Sequence, residues 1–325
     1  MEDKNSLRII DLHADLPYDI VKRRARGEQG VLESFHLRKL REGRVTGLVA
    51  PIWVESPYKP DQALGRGLEI VDALINDLKE SPSFRLATSL HQYLDEESSG
   101  KISLFLGVEG GELIGNDLEL LRDYWRFGVR CFGLVWNERN LMADGMDHAQ
   151  DDRGLTDFGK QVIEQLNELG IVIDLAHMAA KSFWDVLGTT KQPVIVSHTA
   201  TPRHRALRNL DDDQLQAIAS NKGMIGIFAL DTGAMPDLES YCDHIEYAVK
   251  MAGPEHVGLG PDFVDYFLKD LGADPRTNVR PVDGLEDHRK LPAVASELAS
   301  RGLSNEEISM IMRDNYLRVF KQVVG

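Results

Sequence analysis

Arg8-Ile9-Ile10-Asp11-Leu12-His13-Ala14-Asp15 opens on apolar residues suited to a buried strand and closes on a His-x-Asp pair. Side chains two apart in a strand share a face, so the spacing predicts that His13 and Asp15 project together from the strand's C-terminal end. An imidazole and a carboxylate held side by side make half a site for a borderline divalent metal such as zinc. One such pair alone reads more readily as a buried histidine satisfied by a carboxylate. How the rest of the chain answers it decides the matter.

Short apolar runs ending in polar residues recur along the chain, separated by helical stretches. After the first they are 45–54 (VTGLVAPIWV), 102–108 (ISLFLGV), 129–136 (VRCFGLVW), 171–176 (IVIDLA), 193–197 (PVIVS), 224–230 (MIGIFAL) and 256–260 (HVGLG). Helices are expected over 17–26, 64–79, 118–127, 158–169, 182–187, 212–220 and 238–251, with Gly170 as a C-terminal stop. The tail from 292 to 324 reads as helical, with a capping box at Ser304 and Glu307. Eight strands alternating with helices is the pattern of a (β/α)8 barrel. The competing doubly wound sheet lacks its Gly-x-Gly-x-x-Gly turn after the first strand. The sequence therefore predicts one barrel domain over residues 1–325, ending in C-terminal helices.

Bulk properties narrow the function. The 325 residues are 42% hydrophobic and 27% charged, ordinary values for a globular protein. A net charge of −15, from 37 basic and 52 acidic residues, argues against a nucleic-acid partner, which needs a basic face. With only Cys131 and Cys242 there is no disulfide framework and no cysteine-based zinc finger. The polar, acidic start and the lack of a long apolar run lead us to expect a cytoplasmic protein that makes no use of a membrane.

In a barrel all strand C-termini share one face, which carries the active site. His13 and Asp15 close the first run, Glu109 the third, His177 the fifth, His198 the sixth and Asp262 the eighth. Taken singly, each histidine is best explained as a satisfied core residue; six polar residues in register at one end are not. Three histidines and two or three carboxylates exceed the four ligands of one zinc and suit two metals bridged by a carboxylate. Such a pair lowers the pKa of a bound water, and a spare carboxylate can then move protons. The implied chemistry is hydrolysis of an amide, ester or phosphoester, and spacing does not choose among them.

At this point the series IIDLHAD, VEGGELIGNDLELLRDYWRFGVRCFGLVWNERNLMADG, GLTDFGKQVIEQLNELGIVIDLAH, PVIVSHT, RNLDDDQL, VGLGPDF and DNYLRVF resembles the membrane (renal) dipeptidase family of the amidohydrolase superfamily. The resemblance covers nearly the whole chain. It implies that His13, Asp15 and Glu109 bind one zinc, that Glu109 bridges to a second, and that His177 and His198 complete the second site. It makes Asp262 the proton shuttle between the bridging water and the leaving amine. It makes Arg208 the grip on the substrate's C-terminal carboxylate, a role suited to guanidinium. It implies free dipeptides as substrates, often with a D-residue at the C-terminal position, and suggests a homodimer.

Three departures bear on the substrate. Trp136 stands where many family members place a substrate-contacting histidine, and an indole N–H can only donate a hydrogen bond. Trp136 is thus either a substrate contact or a packing wall, and His148 is a candidate stand-in for the missing imidazole. The usual Asp-Phe-Asp-Gly reads Asp262-Phe263-Val264-Asp265, and Arg313 takes the place of a frequent glycine. The alternatives are another metal-dependent amidohydrolase (an amidase, deacetylase or lactonase) and a non-catalytic barrel. A phosphotriesterase-type lysine bridge is disfavoured, because the fourth run ends in Leu-Val-Trp and Glu109 is the natural bridge.

Overall fold

The computed structural model describes residues 7–202, 209–231, 233, 235–267 and 280–325. Eight parallel strands form a closed ring: β1 (Ile9–Asp11), β2 (Val45–Trp53), β4 (Ile102–Glu109), β5 (Cys131–Gly133), β6 (Val172–Asp174), β7 (Val194–Thr199), β8 (Met224–Ile227) and β10 (Val257–Leu259). Closure comes from β10 pairing with β1, and from β2 pairing with β4 over Gly47–Ser103 to Trp53–Glu109. Among the described residues, three further strands lie outside the ring. β3 (Phe84–Leu86) runs parallel to the start of β4, and β9 (Leu230–Asp231) pairs antiparallel with β11 (Arg280–Pro281). The fold is the (β/α)8 barrel that the alternation of runs predicts.

Why the strands read as continuous apolar runs is visible in the packing. All eight residues of β4 are buried, because a barrel strand has side chains on one face and helices on the other. Alternate residues divide between two cores. Ile10, Leu12, Val49, Phe105, Cys131, Val172, Ile195 and Met224 fill the interior, while Ile9, Leu48, Leu104, Phe132 and Ile225 pack outward with the helices. The tail completes the interior core. The helix Asn315–Val323 plugs the end where the strands begin, its Tyr316 and Phe320 rings 4.9 and 4.8 Å from Phe105. Truncating Phe105 to alanine in so filled a core would cost about 3–5 kcal/mol.

Helix boundaries follow local chemistry. Asp157–Leu169 starts on the Thr156 hydroxyl, which accepts from the Gly159 N–H, and stops at Gly170 in the left-handed region at φ 65°. The Ser304–Glu307 capping box is present as expected. Among the described residues, two helical stretches longer than a single 3-10 turn escape the sequence reading, Leu32–Glu42 and Leu90–Ser98. The 129–136 run is shorter in the structure than its hydropathy: β5 ends at Gly133, because the chain there turns across the barrel mouth to bring Trp136 and Asn137 over the site.

Candidate metal centre

The first ligand pair arises differently from its expected geometry. Ile10 and Leu12 face the barrel interior, so an unbroken two-residue alternation would turn His13 away from it. Instead β1 ends at Asp11 and the chain bends. Asp11, fully buried, accepts from the His13 backbone N–H at 2.8 Å and pairs through its other oxygen with His288 Nε2 at 2.8 Å. Asp15 sits at the N-cap of the helix Leu16–Arg24, yet its carboxylate makes no capping bond and lies 3.7 Å from His13 Nε2. His13 and Asp15 meet because of this bend, not because of strand periodicity.

The other residues come from the ends of four further strands. Glu109 is the last residue of β4, and its two oxygens look in two directions. Oε2 is 3.6 Å from His13 Nε2, while Oε1 is 2.9 Å from His177 Nε2 and 3.7 Å from His198 Nε2. His198 lies within β7; His177 and Asp262 each fall three residues beyond their strands, β6 and β10. Both adopt left-handed backbone, at φ 64° and 56°, a conformation non-glycine residues rarely take and one that clusters at functional sites. Asp262 Oδ1 is 3.9 Å from His13 Nε2. The donor atoms of His13, Glu109 and His198 lie within 4.8 Å of one another, as do those of His13, Asp15 and Asp262. All six residues are buried.

Hydrogen bonds fix the imidazoles. His177 Nδ1 donates to Asn137 Oδ1 at 2.7 Å, which leaves the Nε2 lone pair facing the site. His198 Nδ1 meets Ser197 Oγ at 2.9 Å. The Ser197 hydroxyl and N–H both bond Asp174, a buried carboxylate whose pKa is raised by burial despite those bonds. The two Nε2 atoms then face each other at 2.9 Å, and two lone pairs that close repel unless a proton or a cation lies between them.

The electrostatics ask for positive charge. Burial opposes a charged His13, but the carboxylates of Glu109, Asp15 and Asp262 outweigh it and raise its pKa to about 10. Asp15 Oδ1 is buried without a hydrogen-bond partner among the described residues. Crowded carboxylates, an orphaned acceptor and opposed imidazoles fit divalent cations with nitrogen and oxygen ligands.

Trp136 lies against this centre, its ring 5.8 Å from that of His177 and 5.3 Å from that of Trp53. Lys59 Nζ is 5.0 Å from the Trp136 ring centroid. Beyond them a cavity of about 480 Å³ is lined by Lys59, Glu112, Glu138, Asn140 and Met142, among others. His148 is not gathered in: its Nδ1 pairs with Asp151 at 3.0 Å. Arg208 lies outside the described residues. Sequence reasoning missed Asn137, Asp174 and the Asp11–His288 pair. The signal for the two aspartates was a carboxylate inside an otherwise apolar strand, in Ile-Ile-Asp and Ile-Val-Ile-Asp.

A parallel barrel whose strand ends gather three imidazoles and three carboxylates defines a metal-dependent hydrolase. More specifically, the model of the membrane dipeptidase family (Peptidase family M19) matches residues 4–324, and the chain belongs to that family. It is by class a metallo-dipeptidase. Solved structures share the fold. A dipeptidase AC, a metallopeptidase of family M19, superposes with a TM-score of 0.87 at 22% identity, over 98% of this chain and 99% of that one. A metallopeptidase from Rhodobacter sphaeroides, liganded with a phosphinate mimic of the dipeptide L-Ala-D-Ala, gives 0.86 at 22% over 98% and 99%. The probable dipeptidase PvdM from Pseudomonas aeruginosa gives 0.83 at 23% over 98% and 95%. Among the described residues, no helix is long and apolar enough to cross a membrane.

Proposed function

We propose that the chain hydrolyses the peptide bond of free dipeptides with two zinc ions, His13, Asp15 and Glu109 holding one, and Glu109, His177 and His198 the other. The observation that carries this reading is the divided Glu109 carboxylate, with Oε2 toward His13 and Oε1 toward His177 and His198. When bound, the ions would polarise the scissile carbonyl and supply a water acidic enough to react near neutral pH.

The chain's own residues do the rest. Asp262, at the mouth beside His13, takes the proton of the attacking water on its carboxylate and delivers it to the leaving amine. Asn137, and Ser197 with Asp174, hold the two later imidazoles in the tautomer that presents Nε2. Arg208 grips the C-terminal carboxylate of the substrate in two places. Trp136 walls the site beside His177, and the cavity behind Lys59 leaves room for a substrate side chain. The L-Ala-D-Ala mimic held by the Rhodobacter sphaeroides relative makes L,D-dipeptides the first substrates to try.

The test is an L,L- and L,D-dipeptide panel on zinc-loaded protein, with metal content determined on the same sample. Cleavage that falls roughly 10²–10⁴-fold in Asp262→Asn, with about two metals retained, is the expected result. Two metals without dipeptide cleavage would favour the second reading, an amidase or deacetylase, to which Trp136 in place of the family's frequent histidine already points. A chain that takes up no metal would overturn both.

A further inference from the structure

At the end of the barrel opposite the metal centre, the starts of β1, β2 and β4 surround a cavity of about 250 Å³. Four basic side chains line it, Arg8, Arg41, Arg44 and Lys101, against a single acidic one, Glu97. Like charges repel, so such a gathering in a chain of net charge −15 calls for a compensating group. Glu97 is already committed. Its carboxylate accepts from Arg8 at 2.8 Å, from Arg313 at 2.6 and 3.0 Å, and from the Tyr93 hydroxyl. Lys101 is paired with Glu96 at 2.9 Å. Arg41 donates to the neutral Ser83 hydroxyl at 3.1 Å. Arg44 has no side-chain hydrogen bond or ion pair among the described residues.

The backbone gives an independent observation. Arg44 sits at φ 59°, in the left-handed region that glycine takes freely and a longer residue takes under strain. Gly43 beside it has ordinary backbone and cannot exchange roles with it, because a Cβ there would come within 2.1 Å of the His288 carbonyl oxygen. A strained arginine, without a side-chain partner among the described residues, is thus held at the rim of a cationic cavity where glycine would fit more easily.

We propose that this cavity binds a tetrahedral oxyanion of phosphate size, either inorganic phosphate or the phosphoryl group of a small ester. Arg41 and Arg44 supply the guanidinium donors, and Arg8 and Lys101 add charge. Planar guanidinium forks match phosphate oxygens in geometry and charge, and the cavity has room for one such group. The site is separate from the metal centre, and its existence does not depend on which substrate the metals process.

The test uses zinc-loaded, full-length protein titrated with sodium phosphate against sodium chloride at fixed ionic strength, since exposed charges are screened. Thermal unfolding and calorimetry give the readout. A saturable rise in Tm with phosphate is expected. Arg44→Gly relieves the backbone strain, so it should unfold in chloride no earlier than the parent while binding phosphate roughly tenfold more weakly. Arg41→Gln should also weaken binding, and serves as the second variant should Arg44→Gly fold poorly. Glycerol 3-phosphate in place of phosphate separates the two sources: tighter binding assigns an ester, weaker binding the free ion. No saturable shift, or a shift of the same size in both variants (as phosphate on the metals would give), overturns the proposal.

Discussion

Asn137 offers the sharpest test of the second metal position. Its Oδ1 accepts from His177 Nδ1 at 2.7 Å, and the His177 side chain is 1% exposed. Replacing Asn137 by leucine leaves a buried imidazole N–H without a partner, at a cost of about 1–3 kcal/mol. The loss falls on the tautomer that presents Nε2, so it appears as weaker metal binding: about 10–100-fold, or roughly 1.4–2.8 kcal/mol at 1.4 kcal/mol per factor of ten. Asn137→Ala should lie at the mild end of that range, because a half-buried gap can admit a water to take the N–H. Asn137→Asp keeps the acceptor and adds charge, and should bind metal at least as tightly as the parent. Competition against a chelator, read as two successive zinc dissociation constants, resolves the effect. Only the constant for the His177–His198 position should move, in the order Asp, Asn, Ala, Leu from tightest to weakest. Equal constants across the series, or a loss at both positions, would refute the tautomer argument.

Two further outcomes follow from the electrostatics. In the metal-free chain the His13 cation contributes stability that is fully present below its unfolded value of 6.5 and is lost as pH rises through about 10. Metal-free protein should therefore lose stability across that window, and zinc binding within it should release about one proton from His13; calorimetry in buffers of different ionisation heat, showing no proton release, would count against it. Burial opposes a charged Glu97, but hydrogen bonds and charge from Arg313, with Tyr93 and Arg8, hold its pKa below the usual carboxylate value. Its stabilisation is thus present above about 4.5 and fades as pH falls through the lower, folded value. Arg313→Met should destabilise by about 1.5–3 kcal/mol near neutral pH, since Glu97 keeps its bonds from Arg8 and Tyr93, and less in mild acid where Glu97 protonates more readily; denaturant unfolding near neutral pH and in mild acid measures both.

What the sequence made legible was what repeats or what is chemically costly. The eight apolar runs mark barrel strands because both faces of such strands are buried, and β4 keeps that pattern over its whole length. His13, Asp15, Glu109, His177, His198 and Asp262 could be collected because a barrel carries all strand C-termini to one face, whatever each loop does on the way. The same logic explains the errors. A two-residue period describes a strand, and His13 and Asp15 lie past the end of theirs, so the two meet through a bend and not through the expected strand geometry. Residues that steer the ligands stayed hidden because their signal is a contact, not a pattern: Asn137 meets His177 across 40 positions, and His288 meets Asp11 across 277. Asp11 and Asp174 were the exception that could have been caught. A carboxylate buried in an apolar strand is costly unless backbone or side-chain donors meet it, and both do meet donors, one at the His13 N–H and one at the Ser197 N–H. Each aspartate lies within three positions of a proposed ligand along its own strand end, and Asp174 also bonds Ser197, the neighbour of His198 on the next strand. Unexplained burial of charge in the strands therefore pointed toward the same pocket as the ligands themselves, one step behind them.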